Sequence, residues 1–460
     1  FEPVERADGT RIFQLSPARR QNQRLRHLSE PQREFLAEKP DGAFRIFVVG
    51  SSSAEGIPYS TRYAFSTWLE RRLSASLPQL RVEVVNAAFA GYASRRLLTI
   101  VEEIAHYEPD LLVIYMGHNE WAERMYYEHL LRLDPRLFRV LEWGYQTRIY
   151  ALASRILDLQ AFARPSPLEL GPDANTFQMF GVFRERAEGR GYPTPRELGY
   201  RDLLYENNLH AMADAMRRVG ARTLFCTLAQ NFSDWPPPAS RHRDGLTSDQ
   251  LREWERAFGE GRRQAAGGDC NAALDAFAQA LAIDDRYADL QFRAAACLRS
   301  LGRLAEAKQR FRLASDLDPV SHGAPTYFNE ILRRVAREED GLFLDVDRLL
   351  ADASGPSLVG DDLFTDFAHP NLRAHQLIAG ALGDTLREAG LPRPAEQWRD
   401  GYVERDLEQL YQEEPELGIR ELESRVFVCL LAPREQCAQE AQRLLALQPQ
   451  NEIAARVLRE

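Results

Sequence analysis

The sequence predicts an α/β protein whose three-layer core holds five parallel strands. An α-helical insertion interrupts that core, and a helical extension follows it. Two observations carry the prediction. Short apolar runs alternate with stretches of helical period, the order expected of a parallel sheet covered on both faces. A 34-residue self-similarity then breaks the alternation and marks a separate helical unit. Of 460 residues, 44% are hydrophobic and 27% charged, which rules out a disordered or collagen-like chain.

Residues 1–43 read as a polar, irregular, solvated arm with a basic patch from Arg19 to Arg26. The first part of the core spans 44–247. Residues 44–49 form a short apolar run closed by Gly50-Ser51-Ser52-Ser53, and read as its first strand. A helix over 61–76 leads to a strand over 82–86, and a helix over 95–106 to a strand over 110–116. That third strand ends in Gly117-His118-Asn119-Glu120. Residues 121–200 are rich in Arg, Tyr, Leu and Phe, with Pro-Gly segments near 164–173 and 189–195. They read as helices and a long loop over the sheet's edge, either a lid or a plain structural insertion. A helix over 203–218 then precedes a strand over 222–228.

The self-similar unit spans 248–320. Gly268, Ala273, Phe277 and Ala280 recur 34 residues later as Gly302, Ala307, Phe311 and Ala314. Small residues let paired helices approach closely, and the aromatic fills the gap between them. The period and pattern resemble the tetratricopeptide repeat. Two repeats are fewer than independent stability requires, so they must lean on the main domain or on other helices. The core resumes over 321–395, with a helix over 327–338 and a last strand over 342–346. Residues 396–460 form the helical extension, with a weak repeat-like helix pair over 421–431 and 435–447.

A net charge of −10 repels phosphate backbones, so no nucleic-acid partner is expected. No apolar run approaches the roughly 20 residues that span a bilayer. The chain begins with Phe1, so an export signal or membrane anchor would lie upstream of it. Five cysteines without a CxxC pair suggest neither a disulfide scaffold nor a zinc site, and a P-loop is missing. No metal or cofactor is expected. Cys429 and Cys437 flank Ala432-Pro433, a turn between two helices. An oxidising compartment would permit a bridge there, and two buried thiols are the alternative.

The chemistry concentrates after strands. A serine on the Gly50–Ser53 turn would sit outside the carboxyl ends of a parallel sheet, where sites form in open α/β folds. A helix N-cap is the plainer reading of that cluster. Asp366-Phe367-Ala368-His369 spaces a carboxylate and an imidazole across one turn, so that the carboxylate can accept the Nδ1 proton and free Nε2 as a base. Gly91 and Asn119, after the second and third strands, can aim two amides at one oxyanion; a turn glycine and a helix cap are their ordinary roles.

In this order the motifs resemble those of the SGNH/GDSL hydrolase family. Gly50-Ser51-Ser52 stands where the family has Gly-Asp-Ser, Gly91 at its block-two glycine, Gly117-His118-Asn119-Glu120 at block three, and Asp366-Phe367-Ala368-His369 at Asp-x-x-His. The subgroup with inserted tetratricopeptide repeats is more similar still, through its Gly-Gly-Ser-Ser variant of block one and a stretch like Asn231-Phe232-Ser233-Asp234-Trp235. The resemblance implies a flavodoxin-like sheet order, Ser52 as nucleophile, His369 as base and then acid, and Asp366 as its orienting group. It implies an oxyanion hole made by the Ser52 and Gly91 amides and the Asn119 side chain, with Ser51 and Asn231 lining the cleft. Ser51 departs from the family's aspartate. An extracytoplasmic location is implied by resemblance alone.

Three functions compete at this point. The first is a serine ester hydrolase acting on an acyl ester of a glycan or lipid. The second is an acyltransferase with a sugar hydroxyl in place of water. The third is a scaffold whose helical repeats bind a protein partner beside an idle pocket.

Overall fold

A computed structural model describes residues 1–14, 34–120, 194–319, 323–355, 358–430 and 433–459. The lid or insertion expected over 121–200 falls outside these residues except for its last seven. The sheet contains β4 (Phe44–Gly50), β5 (Val82–Asn86), β6 (Leu111–Tyr115), β7 (Arg222–Cys226) and β8 (Leu342–Leu344), all parallel, in the order β5-β4-β6-β7-β8. This is the doubly wound order in which chain direction switches between the first and third core strands, so loops leaving β4 and β6 open a crevice at the carboxyl edge. The strands are apolar on both sides: Ile46 through Val49 and Leu111 through Ile114 are wholly buried. That is why they read as continuous apolar runs rather than alternating ones.

Helices α1 (Ser52–Glu55), α2 (Phe65–Ser76), α3 (Ser94–Ile104) and α4 (Pro195–Arg218) belong to the first part of the core. The helix expected over 61–76 is divided by Ala64, whose extended backbone separates a 3₁₀ turn from α2. The helix expected from 203 begins at Pro195, where Thr194 and Glu197 form a capping box.

The 1–43 arm is not irregular in its described parts. β1 (Glu2–Glu5), β2 (Arg11–Gln14) and β3 (Glu34–Leu36) form an antiparallel sheet. Phe1, Phe13 and Phe35 pack around Tyr107 and dock the sheet on the core. Buried Arg45 anchors it from below, donating to Glu83, to the Tyr107 carbonyl and to the Leu36 carbonyl.

Between β7 and the rest of the core come α5 (Ser248–Ala266), α6 (Cys270–Ile283), α7 (Ala288–Ser300) and α8 (Leu304–Leu317). Ala273, Phe277 and Ala280, and their counterparts Ala307, Phe311 and Ala314, are all buried. α9 (Phe328–Glu338) returns the chain to β8. That strand stops short of the expected 346 because Asp345 caps α10 (Val346–Ala353), accepting from the Arg348 amide. α11 (Leu372–Glu388) packs on α2 and completes the core. The extension comprises α12 (Leu407–Glu413), α13 (Glu416–Cys429), α14 (Cys437–Leu447) and α15 (Glu452–Val457). Cys429 and Cys437 are bridged, with their Cα atoms 5.7 Å apart. Among the described residues no helix is long and apolar enough to cross a membrane.

Candidate active site

Ser52 is the first residue of α1, directly after the turn that ends β4. The turn needs glycine at position 50: a Cβ there would lie 2.2 Å from the Tyr115 carbonyl oxygen on the neighbouring strand. A first-turn residue keeps an amide without an intrahelical acceptor. The turn is further fixed by Ser53, whose hydroxyl donates to the Ala368 carbonyl at 2.9 Å, and by buried Glu55, which accepts from the Ala90 amide at 2.7 Å. Glu55 thereby holds the loop that carries Gly91, itself in the left-handed region at φ 75°.

His369 Nε2 lies 2.8 Å from Ser52 Oγ, across 317 residues of chain. His369 Nδ1 lies 2.7 Å from Asp366 Oδ2 and 2.9 Å from Oδ1. The Asp366 carboxylate is buried, and Oδ1 also accepts from the Ala368 and His369 amides. Burial pushes its carboxyl up, yet the His369 ring, these amides and a serine hydroxyl, Ser424, outweigh burial and hold it below the usual carboxylate value. Asp366 therefore stays an acceptor, which favours the tautomer with its proton on Nδ1 and Nε2 turned towards Ser52. The three residues expected to converge do so.

The other expected residues divide. Asn119 Nδ2 donates to the Tyr92 carbonyl at 3.3 Å and so leans on the loop holding Gly91. Glu120, the last member of that motif, is buried and accepts from both the amide and the hydroxyl of Ser94, at 2.8 Å each, which ties the motif to the start of α3. Ser51, expected to line the cleft, is buried at 1% exposure, and among the described residues its hydroxyl has no hydrogen-bond partner. Asn231 is largely buried, at the edge of a small pocket that Trp235 and Phe367 also line. Its Nδ2 donates to Asp361 at 2.8 Å, its Oδ1 accepts from the Asp234 amide, and its backbone amide donates to the Phe367 carbonyl. It braces the Asp366–His369 loop.

Sequence reasoning passed over two buried imidazoles. His118 Nδ1 accepts from the Ala324 amide at 3.1 Å, and His375 Nδ1 from the Phe65 amide at 3.2 Å. Burial, then repulsion from a charged His369, lowers each to about 3, so both are neutral. It also gave no role to Ser53, the last residue of the Gly50–Ser53 turn, and passed over Ser424, which belongs to no motif. Among the described residues, two groupings offer metal-type donors: Cys429, Cys437 and Glu440, whose cysteines are bonded to each other, and Glu206, His210 and Glu338. Neither includes a residue of the Ser52 site.

A doubly wound sheet carrying a serine–histidine–aspartate hydrogen-bonded chain at its carboxyl edge is the arrangement of an α/β acyl hydrolase. The family model described as GDSL-like lipase/acylhydrolase matches residues 48–295, and the chain belongs to that family. The matched segment includes Ser52, Gly91 and Asn119 and ends before Asp366. Solved structures that match the chain include a Parabacteroides merdae protein described as a GDSL-like lipase, with 11% identity, a TM-score of 0.35, and coverage of 75% of this chain and 97% of that one. Axe2, an acetylxylan esterase from Geobacillus stearothermophilus, shows 14% identity, a TM-score of 0.33, and coverage of 76% and 96%. TesA shows 14% identity, a TM-score of 0.33, and coverage of 75% and 98%. No curated protein matches the chain.

Proposed function

We propose that the protein is a serine ester hydrolase that cleaves an acyl ester of a glycan or lipid. The observation that carries this reading is the continuous chain from Ser52 Oγ through both nitrogens of His369 to Asp366. In the proposed reaction His369 Nε2 takes the Ser52 proton as Oγ attacks the ester carbonyl carbon. Asp366 holds the ring and stabilises the imidazolium. The Ser52 and Gly91 amides and Asn119 Nδ2 receive the oxyanion. His369 then protonates the departing alcohol, and a water activated by the same nitrogen releases the acid. A sugar hydroxyl in place of that water would make the enzyme an acyltransferase.

The paired helices α5–α8 support assignment to the tetratricopeptide subgroup and offer a surface for a protein partner. The Cys429–Cys437 bridge supports residence in an oxidising, extracytoplasmic compartment. The test is hydrolysis of p-nitrophenyl acetate, together with labelling by a fluorophosphonate probe. Wild type should do both and Ser52→Ala neither. A wild-type protein that neither turns over nor labels would leave the idle-pocket scaffold as the better reading.

A further inference from the structure

The Asp366–His369 loop does not stand alone over the sheet; the C-terminal extension is built onto it. From α13, Ser424 Oγ donates to Asp366 Oδ2 at 2.8 Å, and Arg425 Nε donates to the Thr365 carbonyl at 3.0 Å. The same helix reaches the nucleophile's side of the crevice. Arg420 donates to the Tyr59 carbonyl at 3.0 Å, and Glu421 accepts from the Tyr59 hydroxyl. Within the loop that the bridge closes, Arg434 pairs with Asp361 and Glu440, at 2.8 and 2.7 Å, and lies over the Trp235 ring. Helix α13 is therefore fixed against both chain segments that supply the candidate triad.

Asp366 Oδ2 is the oxygen that meets His369 Nδ1 at 2.7 Å, and Ser424 is its second side-chain donor. A carboxylate can rotate about its terminal bond. The amides of Ala368 and His369 hold Oδ1, and Ser424 holds Oδ2, so the plane of the group is pinned at both ends. Ser424 is itself buried. Bonding between polar groups in such surroundings is strong and costly to leave unmade.

We propose that Ser424 is a positioning residue of this hydrolase, supplied by the C-terminal extension to fix the Asp366 carboxylate against His369. The inference rests on the ester-hydrolase reading above, and it makes the extension a working part of the site. Ser424→Ala should lower kcat on p-nitrophenyl acetate roughly 10–100-fold, the scale on which groups supporting a catalytic residue act, with KM little changed. Ser424→Thr, which keeps the hydroxyl, should restore most of the rate. Ser424→Cys, near in volume and a weak donor, should follow the alanine variant and guards against a simple packing loss.

A second readout needs no turnover. In the resting protein the downfield proton resonance of His369 Nδ1–H, assigned by its loss in His369→Gln, should move or broaden in Ser424→Ala and return in Ser424→Thr. If kcat and this resonance are both unmoved while only stability falls, Ser424 is structural and the inference is overturned. If wild type shows no Ser52-dependent turnover, the hydrolase reading fails, and the resonance alone still decides whether Ser424 positions the pair.

Discussion

Asn119 reaches the Tyr92 carbonyl across 3.3 Å, a long bond that a developing oxyanion can replace. If it stabilises charge that exists only in the transition state, Asn119→Ala should lower kcat by about 10²–10³-fold with little change in KM. A residue that merely held the loop would instead lose stability, roughly 1 kcal/mol, and spare turnover. Kinetics and urea unfolding measured on the same preparation separate the two, and an unchanged kcat would remove Asn119 from the mechanism. At this scale Ser52, Asp366 and His369 were legible because their motifs are local: a turn after a strand, and a carboxylate three residues before an imidazole. Ser424 was not. It is an ordinary serine on a helix, 58 residues from the carboxylate it meets, and only the docking of that helix gives it a partner. Ser51 differs for the converse reason, since a polar residue beside a motif looks available until its burial is known.

Among the elements, the insertion shows how far pattern alone can go. The residues that recur at 34-residue spacing, Ala273, Phe277 and Ala280 with Ala307, Phe311 and Ala314, are buried between helices, because small residues at fixed offsets permit close approach. Gly261 on α5 makes a close approach of this kind: a Cβ there would sit 2.3 Å from the buried Phe277 ring of α6. Gly261→Ala should therefore destabilise the protein by about 1–3 kcal/mol through overpacking. It should leave kcat nearly unchanged at temperatures where the fold persists. Urea titration checks the first part and the p-nitrophenyl ester the second; an unaltered midpoint would mean the helix pair has slack there. The small N-terminal sheet was hidden because its strands are only three or four residues long and draw their stability from an aromatic cluster with Tyr107. The early start of α4 at Pro195 is written in Thr194-Pro195-Arg196-Glu197, a capping box with proline in its first turn, but a proline- and glycine-rich stretch directly before it carries no helical period of its own.

Over the whole molecule, the two buried neutral imidazoles impose a direction on acid stability. His118 and His375 are held neutral in the fold down to about pH 3, whereas in the unfolded chain they titrate near 6.5. Below that value the unfolded state takes up protons that the folded state does not, so stability falls as pH drops from about 6.5 towards 3. Each imidazole contributes about 1 kcal/mol per pH unit. Asp366, held low, adds its own loss only at the acidic end of this window. Urea unfolding at pH 7 and pH 5 should show the decline, and His375→Gln, whose side-chain oxygen can still accept from the Phe65 amide, should flatten it. Equal stability at the two pH values would contradict the neutral assignment. The order in which the site's parts leave the ribosome has a further consequence. The serine is made early, its imidazole and carboxylate hundreds of residues later, and the hydroxyl that pins them later still. A half-made chain that lacks Asp366 and His369 displays an unarmed serine. The proposed chemistry stays silent until the segments that carry Ser52 and His369, 317 residues apart, have met.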